Sequence, residues 1–118
     1  MKQLMIGLCC VLLSPFASAA GALAIDSNQG QQYGFAYNYA TIDEASQRAL
    51  SECGDGCGIV QTFEEGCAAY AADQAEGSTV YGWGTASDSG TAQNYALQYC
   101  QSNGGSQCIV RVWGCNGE

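Results

Sequence analysis

Short apolar runs, each closed by a polar or glycine-rich turn, divide the chain into candidate strands and helices. An apolar run over residues 21–26 predicts a first strand, and the alternating residues 32–38 predict a second strand beyond a turn at 27–30. After the following helix, residues 57–63 are rich in strand-forming side chains. The first part of the chain therefore predicts strand, strand, helix and strand.

The predicted helix spans residues 42–53. It is preceded by a capping box, in which the Thr41 hydroxyl and the Glu44 carboxylate satisfy the first free backbone donors of a helix. Its apolar residues form one narrow stripe at helical spacing, and the small alanines in that stripe permit close approach to a sheet. The stripe consists of Ala45, Ala49, Leu50 and Cys53.

The same pattern occurs a second time. The helix motif Ala-x-x-x-Ala-Leu-x-x-Cys begins at Ala45 and again at Ala92, an offset of 92 − 45 = 47 residues. The pattern in the second half also predicts strand, strand, helix and strand, in that order. The predicted elements of the second half span residues 67–73, 79–84, 89–100 and 107–114.

Two such repeats predict an α+β fold. We expect the repeats, at about 21–66 and 67–118, to share one mostly antiparallel sheet with both helices on one face. Approximate twofold symmetry would relate the halves. The length of residues 21–118 suits a single domain whose modest core needs cross-links for stability.

The first 20 residues predict a signal peptide. Lys2 precedes an apolar stretch over residues 4–13, and Ala17-Ser18-Ala19 supplies the small residues of a cleavage site. The apolar stretch is too short to cross a bilayer, so we expect no membrane insertion after its removal. The expected location is secreted or periplasmic.

Six cysteines follow the predicted signal peptide, and an even number in an exported chain predicts three disulfides. Sequence alone allows fifteen pairings. Metal-bound or reactive thiols are the alternative, but the chain has no histidine and no paired Cys-x-x-Cys spacing. We therefore predict neither a metal nor a cofactor. The symmetry of the repeats favours Cys53 with Cys57, Cys100 with Cys108, and Cys67 with Cys115, the last joining the two halves.

Several of these motifs together carry a resemblance to a known family. They are the duplicated helix, Tyr-Gly-Phe at Tyr33, Tyr-Gly-Trp at Tyr81, Cys-Ala-Ala-Tyr-Ala at Cys67 and the closing Ile-Val-Arg-Val-Trp-x-Cys. Over residues 21–115 the chain resembles the exported bacterial family catalogued as domain of unknown function 4189. The resemblance implies a secreted or periplasmic bacterial protein, and it brings no established catalytic residues.

The charge balance of the predicted mature chain is strongly acidic. Arg48 and Arg111 oppose eleven carboxylates, so the net charge is 2 − 11 = −9. Nucleic acids and anionic membranes bind through clustered lysine and arginine, so neither is an expected partner. The acidic surface serves either to keep the protein soluble or to attract a basic partner.

The residues that usually carry catalysis are scarce. Without histidine or a lysine in the mature chain, acid–base chemistry would need paired carboxylates. Asp26 and Asp73 stand at equivalent strand ends and could face each other across the pseudo-dyad. Alternatively, each begins a turn by bonding its own backbone. No catalytic residue is predicted.

Aromatic side chains alternate along the second strand of each repeat. Rings on one face give either a platform for a glycan or a protein partner, or a core beneath the helices. Two helical tyrosines lie off the alanine stripe, so we expect them to be more exposed. The candidate binding residues are Tyr33, Phe35, Tyr37, Tyr81, Trp83, Tyr95 and Tyr99.

Together these features predict a small, disulfide-rich, non-catalytic binding module. Its expected partner is a protein, in particular a basic one, and the sharpest form of the hypothesis is an inhibitor or immunity protein for a bacterial toxin or hydrolase. One alternative is a cell-wall glycan-binding module that uses the aromatic strands. The other is a carboxylate-based hydrolase.

Overall fold

The computed structural model describes residues 19–26 and 32–117. Most of the predicted signal peptide (residues 1–18) and the whole of the predicted turn at 27–30 lie outside the described residues. The first strand begins at Ala20, one residue before the predicted start of the domain.

Both repeats have the predicted order of strand, strand, helix and strand. The first contains β1 (Ala20–Asp26), β2 (Tyr33–Tyr39), α1 (Ile42–Cys53) and β3 (Cys57–Phe63). The second contains β4 (Cys67–Asp73), β5 (Tyr81–Ala86), α2 (Ser89–Ser102) and β6 (Cys108–Cys115). Helix α1 has the predicted bounds, whereas α2 ends two residues later than predicted.

Each helix begins at a side chain that caps it. The Thr41 hydroxyl accepts a hydrogen bond of 3.1 Å from the Glu44 amide. At α2 the Asp88 carboxylate accepts one of 2.9 Å from the Thr91 amide, and this bond lowers the pKa of Asp88 below its ordinary value. Both caps satisfy backbone donors that a helix start leaves without an internal partner.

The strands form two antiparallel sheets of three strands, with orders β2–β1–β3 and β5–β4–β6. The α+β class, the duplicated unit and the antiparallel pairing are confirmed. The prediction that the repeats share one sheet is wrong, and so is the prediction that both helices cover one face. The two sheets instead pack face to face, with α1 outside the first and α2 outside the second.

The central strands explain this arrangement, because they are apolar on both faces. In β1 the small Ala22 and Ala24 pack against Ala45 and Ala49 of α1, in a cluster that contains no residue of the second repeat. The large side chains on the opposite face of β1 join a core cluster with residues of β4. A sheet with two apolar faces must bury both of them. Here a helix packs on one face, and the sheet of the other repeat packs on the opposite face.

The core between the sheets is built mainly from large side chains. Tyr70 of β4, Leu23 and Ile25 are fully buried there. Burial of an aliphatic or aromatic side chain contributes roughly 1.5–3 kcal/mol. Burial also raises the pKa of the Tyr70 hydroxyl well above its ordinary value.

In each repeat, the packing of the helix against its sheet depends on glycine in the second strand. A Cβ on Gly34 would overlap the carbonyl oxygen of Ala49 in α1, and one on Gly82 would overlap the backbone nitrogen of Cys100 in α2. Glycine at these positions therefore allows each helix to lie unusually close to its sheet.

All three predicted disulfides are confirmed. Two of them tie a helix to the strand that follows it, Cys53 with Cys57 and Cys100 with Cys108. The third, Cys67 with Cys115, does not join the halves as expected. It connects directly opposed residues of β4 and β6 within the second sheet.

Candidate functional site

Four of the predicted binding residues line the space between the two sheets. Phe35 of β2 is buried in the core, and Tyr33, Tyr81 and Trp83 pack against it while remaining half-buried. The aromatic stripes therefore face each other across the sandwich. They lie beneath neither helix, because alanine and glycine occupy the helix-facing side of each sheet.

The rings form a continuous row of contacts from the core to the surface. Centroid distances are 5.3 Å from Tyr33 to Tyr70, 6.1 Å from Tyr70 to Tyr81 and 6.0 Å from Tyr81 to Trp83. The row ends on α2, where Tyr99 meets Trp83 edge-on at 5.4 Å. Trp83 is thus the link between the core and the exposed face of α2.

The other three predicted residues are exposed. Tyr95 and Tyr99 lie one turn apart on α2 and are 50% and 44% exposed, while Tyr37 in the second half of β2 is 41% exposed. The structure also exposes Ile109 and Trp113 on β6, which the sequence analysis did not select. Both lie on an edge strand, and the three residues between them are half-buried, so the burial of this strand shows no simple alternation.

One side of the sandwich, where β2 lies beside β6, is closed by polar side chains. The Asn38 amide donates a hydrogen bond of 2.8 Å to Oδ1 of Asn116, and the Gly117 amide donates one of 2.6 Å to Oδ1 of Asn38. Towards the other end of the same side, the Tyr33 hydroxyl donates a bond of 3.3 Å to the carbonyl oxygen of Arg111. We call the Asn38–Asn116 pair the asparagine clasp.

Asn38 is able to take part because β2 contains a bulge. The β1–β2 register shifts between Ala20 and Ala22, and Asn38 has a φ of 66°. Asparagine tolerates this left-handed conformation better than most side chains. The corresponding pairing of β4 with β5 runs without a shift, and β5 is one residue shorter than β2.

The opposite side, where β3 lies beside β5, is bridged at one point and then opens. Trp83 Nε1 donates a hydrogen bond of 3.2 Å to Oε1 of Gln61, which joins the edges of the two sheets. Beyond it lies a cavity of about 500 Å³ lined by residues 61–66 and 85–87. We call this cavity the β3–β5 groove.

Hydroxyls and carboxylates line the β3–β5 groove. Glu64 and Glu65 are exposed on the turn after β3. Thr85 lies near the end of β5, and Ser87 follows that strand directly. No lysine or arginine is among the lining residues. The groove therefore presents oxygen acceptors, two of them charged.

The internal symmetry relates this groove to the asparagine clasp. In the paired registers Phe63 lies opposite Gly21 and Gly114 lies opposite Ala68, so Phe63 and Gly114 are counterparts. Two residues further along, Glu65 is the counterpart of Asn116. The side that holds the clasp is closed, and the equivalent side holds a glutamate and an open groove.

The two symmetric aspartates stand on strands of different sheets. Asp73 is buried, and its carboxylate accepts hydrogen bonds of 2.8 Å from the Gln107 amide and 3.3 Å from the Ala75 amide. A side-chain hydrogen bond from Ser78, together with these backbone bonds, lowers the pKa of Asp73. Asp73 thus anchors its own turn and the start of β6.

Carboxylates dominate the surface of the described residues. Arg48 is the one exposed basic residue among residues 19–26 and 32–117, and it forms an ion pair of 2.9 Å with Glu52. Arg111 is half-buried and lies 5.4 Å above the centre of the Tyr33 ring. The exposed acidic residues are Asp43, Glu44, Glu52, Asp55, Glu64, Glu65, Glu76 and Asp88.

Within the described part of the chain, no three residues of the histidine, cysteine, aspartate and glutamate types group closely enough to hold a metal ion. None of the described helices has the length and apolar character needed to cross a membrane.

One family model, described as a domain of unknown function (DUF4189), matches residues 20–115. No curated protein matches the chain, and no solved structure matches it.

Proposed function

The chain belongs to the DUF4189 family of unknown function, and from its own residues we propose that it is an exported, non-catalytic binding module for a basic protein partner. The observation that carries this proposal is the surface charge. Eight carboxylates are exposed among the described residues, against the single exposed Arg48. Such a one-sided field accelerates encounter with a basic protein and disfavours acidic competitors.

The rigidity of the fold supports the same proposal. Two disulfides hold the helices to their sheets, and the third holds β4 to β6. A surface that is already ordered loses little conformational entropy when it binds, which favours tight association. An inhibitor or immunity protein for a cationic toxin or hydrolase has these requirements, and that is the form of the proposal we favour.

The proposed location is outside the cytoplasm, either secreted or periplasmic. Disulfides form and persist in oxidising compartments, and three of them in a chain this small agree with export. The apolar stretch and small residues of the first 20 positions supply the proposed signal peptide.

One observation favours a second candidate, a glycan-binding module. Tyr95 and Tyr99 present two exposed rings one turn apart on α2, and Tyr99 is supported from behind by Trp83. Rings held in this way can stack against sugar faces with little entropic cost. Stacking on a neutral sugar depends little on salt, whereas attraction between exposed charges is screened within about 8–10 Å at physiological ionic strength.

Affinity capture tests the leading proposal. The oxidised protein is immobilised, exposed at low salt to exported bacterial proteins, and eluted with rising salt before mass spectrometry. We expect one basic protein in stoichiometric amount, released by salt. A matched resin carries the triple variant Asp43→Asn, Asp55→Asn and Glu76→Gln, which removes three negative charges from the surface, and it should release the same protein at lower salt.

The proposal would be contradicted if the captured partner is acidic, or if its elution does not depend on the salt concentration. Retention of cell-wall glycan fragments in place of a protein would favour the second candidate.

A further inference from the structure

We propose that the β3–β5 groove receives a lysine or arginine side chain of the basic partner. This inference rests on the proposed function, because it names the place at which that partner is held. It adds a short-range contact to the long-range attraction that the surface charge provides.

The difference between the two halves is the first reason. The repeats are related closely enough that each residue of β3 has a counterpart in β6, yet only the β2–β6 side has the clasp. On the groove side Glu65 replaces the asparagine, and β5 lacks the bulge that brings Asn38 into position. The duplicated fold therefore closes one of two equivalent sides and keeps the other accessible.

The size and lining of the groove are the second reason. Its volume of about 500 Å³ lies within the range of roughly 300–1,000 Å³ that is typical of ligand pockets. Glu64 and Glu65 supply charge, Thr85 and Ser87 supply neutral acceptors, and the apolar lining residues are Ala86 and the largely buried Phe63. A long basic side chain matches this lining, because its aliphatic stem packs on apolar atoms while its charged head bonds to oxygens.

The turn that carries the two glutamates is held in place. Gly66 has a φ of 81°, and a Cβ there would come within 2.5 Å of the carbonyl oxygen of Ala86, so the turn lies directly against β5. From behind, the Asn116 amide donates a hydrogen bond of 2.9 Å to Gly66 and its side chain donates one of 3.0 Å to the carbonyl of Phe63. The carboxylates are thus presented on an ordered backbone, which reduces the entropy lost on binding.

The test is a titration of the oxidised, isotope-labelled protein followed by the amide resonances of its NMR spectrum. The probes are a short arginine-containing peptide and the same peptide with citrulline, which is nearly isosteric but uncharged. We expect the arginine peptide to shift amides of residues 61–66 and 85–87, with millimolar affinity. The citrulline peptide should bind at least about tenfold more weakly, because it lacks the charge that strengthens hydrogen bonds to the carboxylates.

Variants assign the effect to the groove. The double variant Glu64→Gln, Glu65→Gln should weaken arginine-peptide binding about tenfold, whereas Asp55→Asn with Glu76→Gln, an equal change of charge elsewhere, should alter it less than twofold. Thermal unfolding of both variants shows whether the fold is kept.

Shifts scattered over the whole acidic surface, equal binding of the citrulline peptide, or equal loss in both double variants would overturn the groove assignment. Shifts of the same amides by a neutral chitin oligosaccharide would overturn it in favour of a sugar. These failures are distinct from failure of the proposed function. If salt-dependent capture of a basic protein is unaffected by the Glu64 and Glu65 substitutions, the module binds its partner elsewhere.

Discussion

Asn38 and Asn116 lie 78 positions apart in the sequence, and the Asn38 amide donates a hydrogen bond of 2.8 Å to the Asn116 side chain. Asn116 also donates to the carbonyl oxygens of Phe63 and Gly66, in the connection between the repeats. The Asn116 side chain thus joins β2 to the end of β3, and the backbone amide of the same residue holds the inter-repeat turn.

We expect Asn116→Ala to lower the free energy of unfolding by about 1–3 kcal/mol, because it removes two side-chain hydrogen bonds. The Asn38 amide and the Phe63 carbonyl would then lose their hydrogen-bond partner. Urea denaturation measures the difference. The control is Asn94→Ala on the exposed face of α2. If both variants have the same stability, the asparagine clasp contributes nothing to the fold.

Gly34 should be intolerant of a side chain. A Cβ at this position overlaps the Ala49 carbonyl, so Gly34→Ala should force α1 away from the first sheet and cost about 1–3 kcal/mol. Gly58 on the exposed side of β3 has no atom within 4 Å of an added Cβ. Gly58→Ala is therefore the matched control and should be neutral or stabilise by about 0.4–1 kcal/mol. A stable Gly34→Ala protein, measured by thermal unfolding, would show that the helix is not held this closely.

The disulfides should differ in their contributions. The Cys67–Cys115 bridge spans 48 positions and the Cys53–Cys57 bridge spans four. From loop-closure entropy, replacing both cysteines of the longer bridge by alanine should cost about 4 kcal/mol, and replacing those of the shorter bridge about 2 kcal/mol. Guanidinium unfolding of the two variants compares them. The reverse order would mean that strain or local packing, and not chain entropy, determines their effect.

Asp73 should make the free energy of unfolding depend on pH in the acidic range. Its pKa in the folded protein is lowered by hydrogen bonds from Ser78, Gln107 and Ala75, so the folded state favours the ionised form. The resulting stabilisation is fully present above the unfolded pKa of about 3.9 and disappears as the pH falls through the lower folded value. Unfolding free energies measured from pH 6 to pH 2 should fall less steeply for Asp73→Asn than for the wild type. Parallel curves would contradict the assignment.

The sequence was sufficient to predict most local structure. The start of α1 followed from its capping residue Thr41, both helices followed from their alanine stripes, and the repeat symmetry identified all three disulfide pairs. These features depend on interactions within one repeat. The periodicity of β1 did contain a sign of the two-sheet arrangement, because Ala22 and Ala24 alternate with Leu23 and Ile25.

The relation between the repeats was not predicted correctly. Whether two strand-strand-helix-strand units join edge to edge or pack face to face depends on which apolar face finds a partner, and local patterns do not encode that choice. The groove was missed for a related reason. It arises from small departures from symmetry, namely the bulge at Asn38 and the exchange of asparagine for glutamate at Glu65, whose effect is visible only once the sheets are stacked.

The most direct test of the proposed function is the affinity of the captured basic protein for the oxidised module as a function of salt. We expect the association rate to fall steeply from 50 to 300 mM NaCl, and the triple variant of Asp43, Asp55 and Glu76 to lower that rate and its salt dependence while leaving dissociation nearly unchanged. An association rate that is independent of salt and of these substitutions would contradict the proposal that exposed carboxylates select the partner.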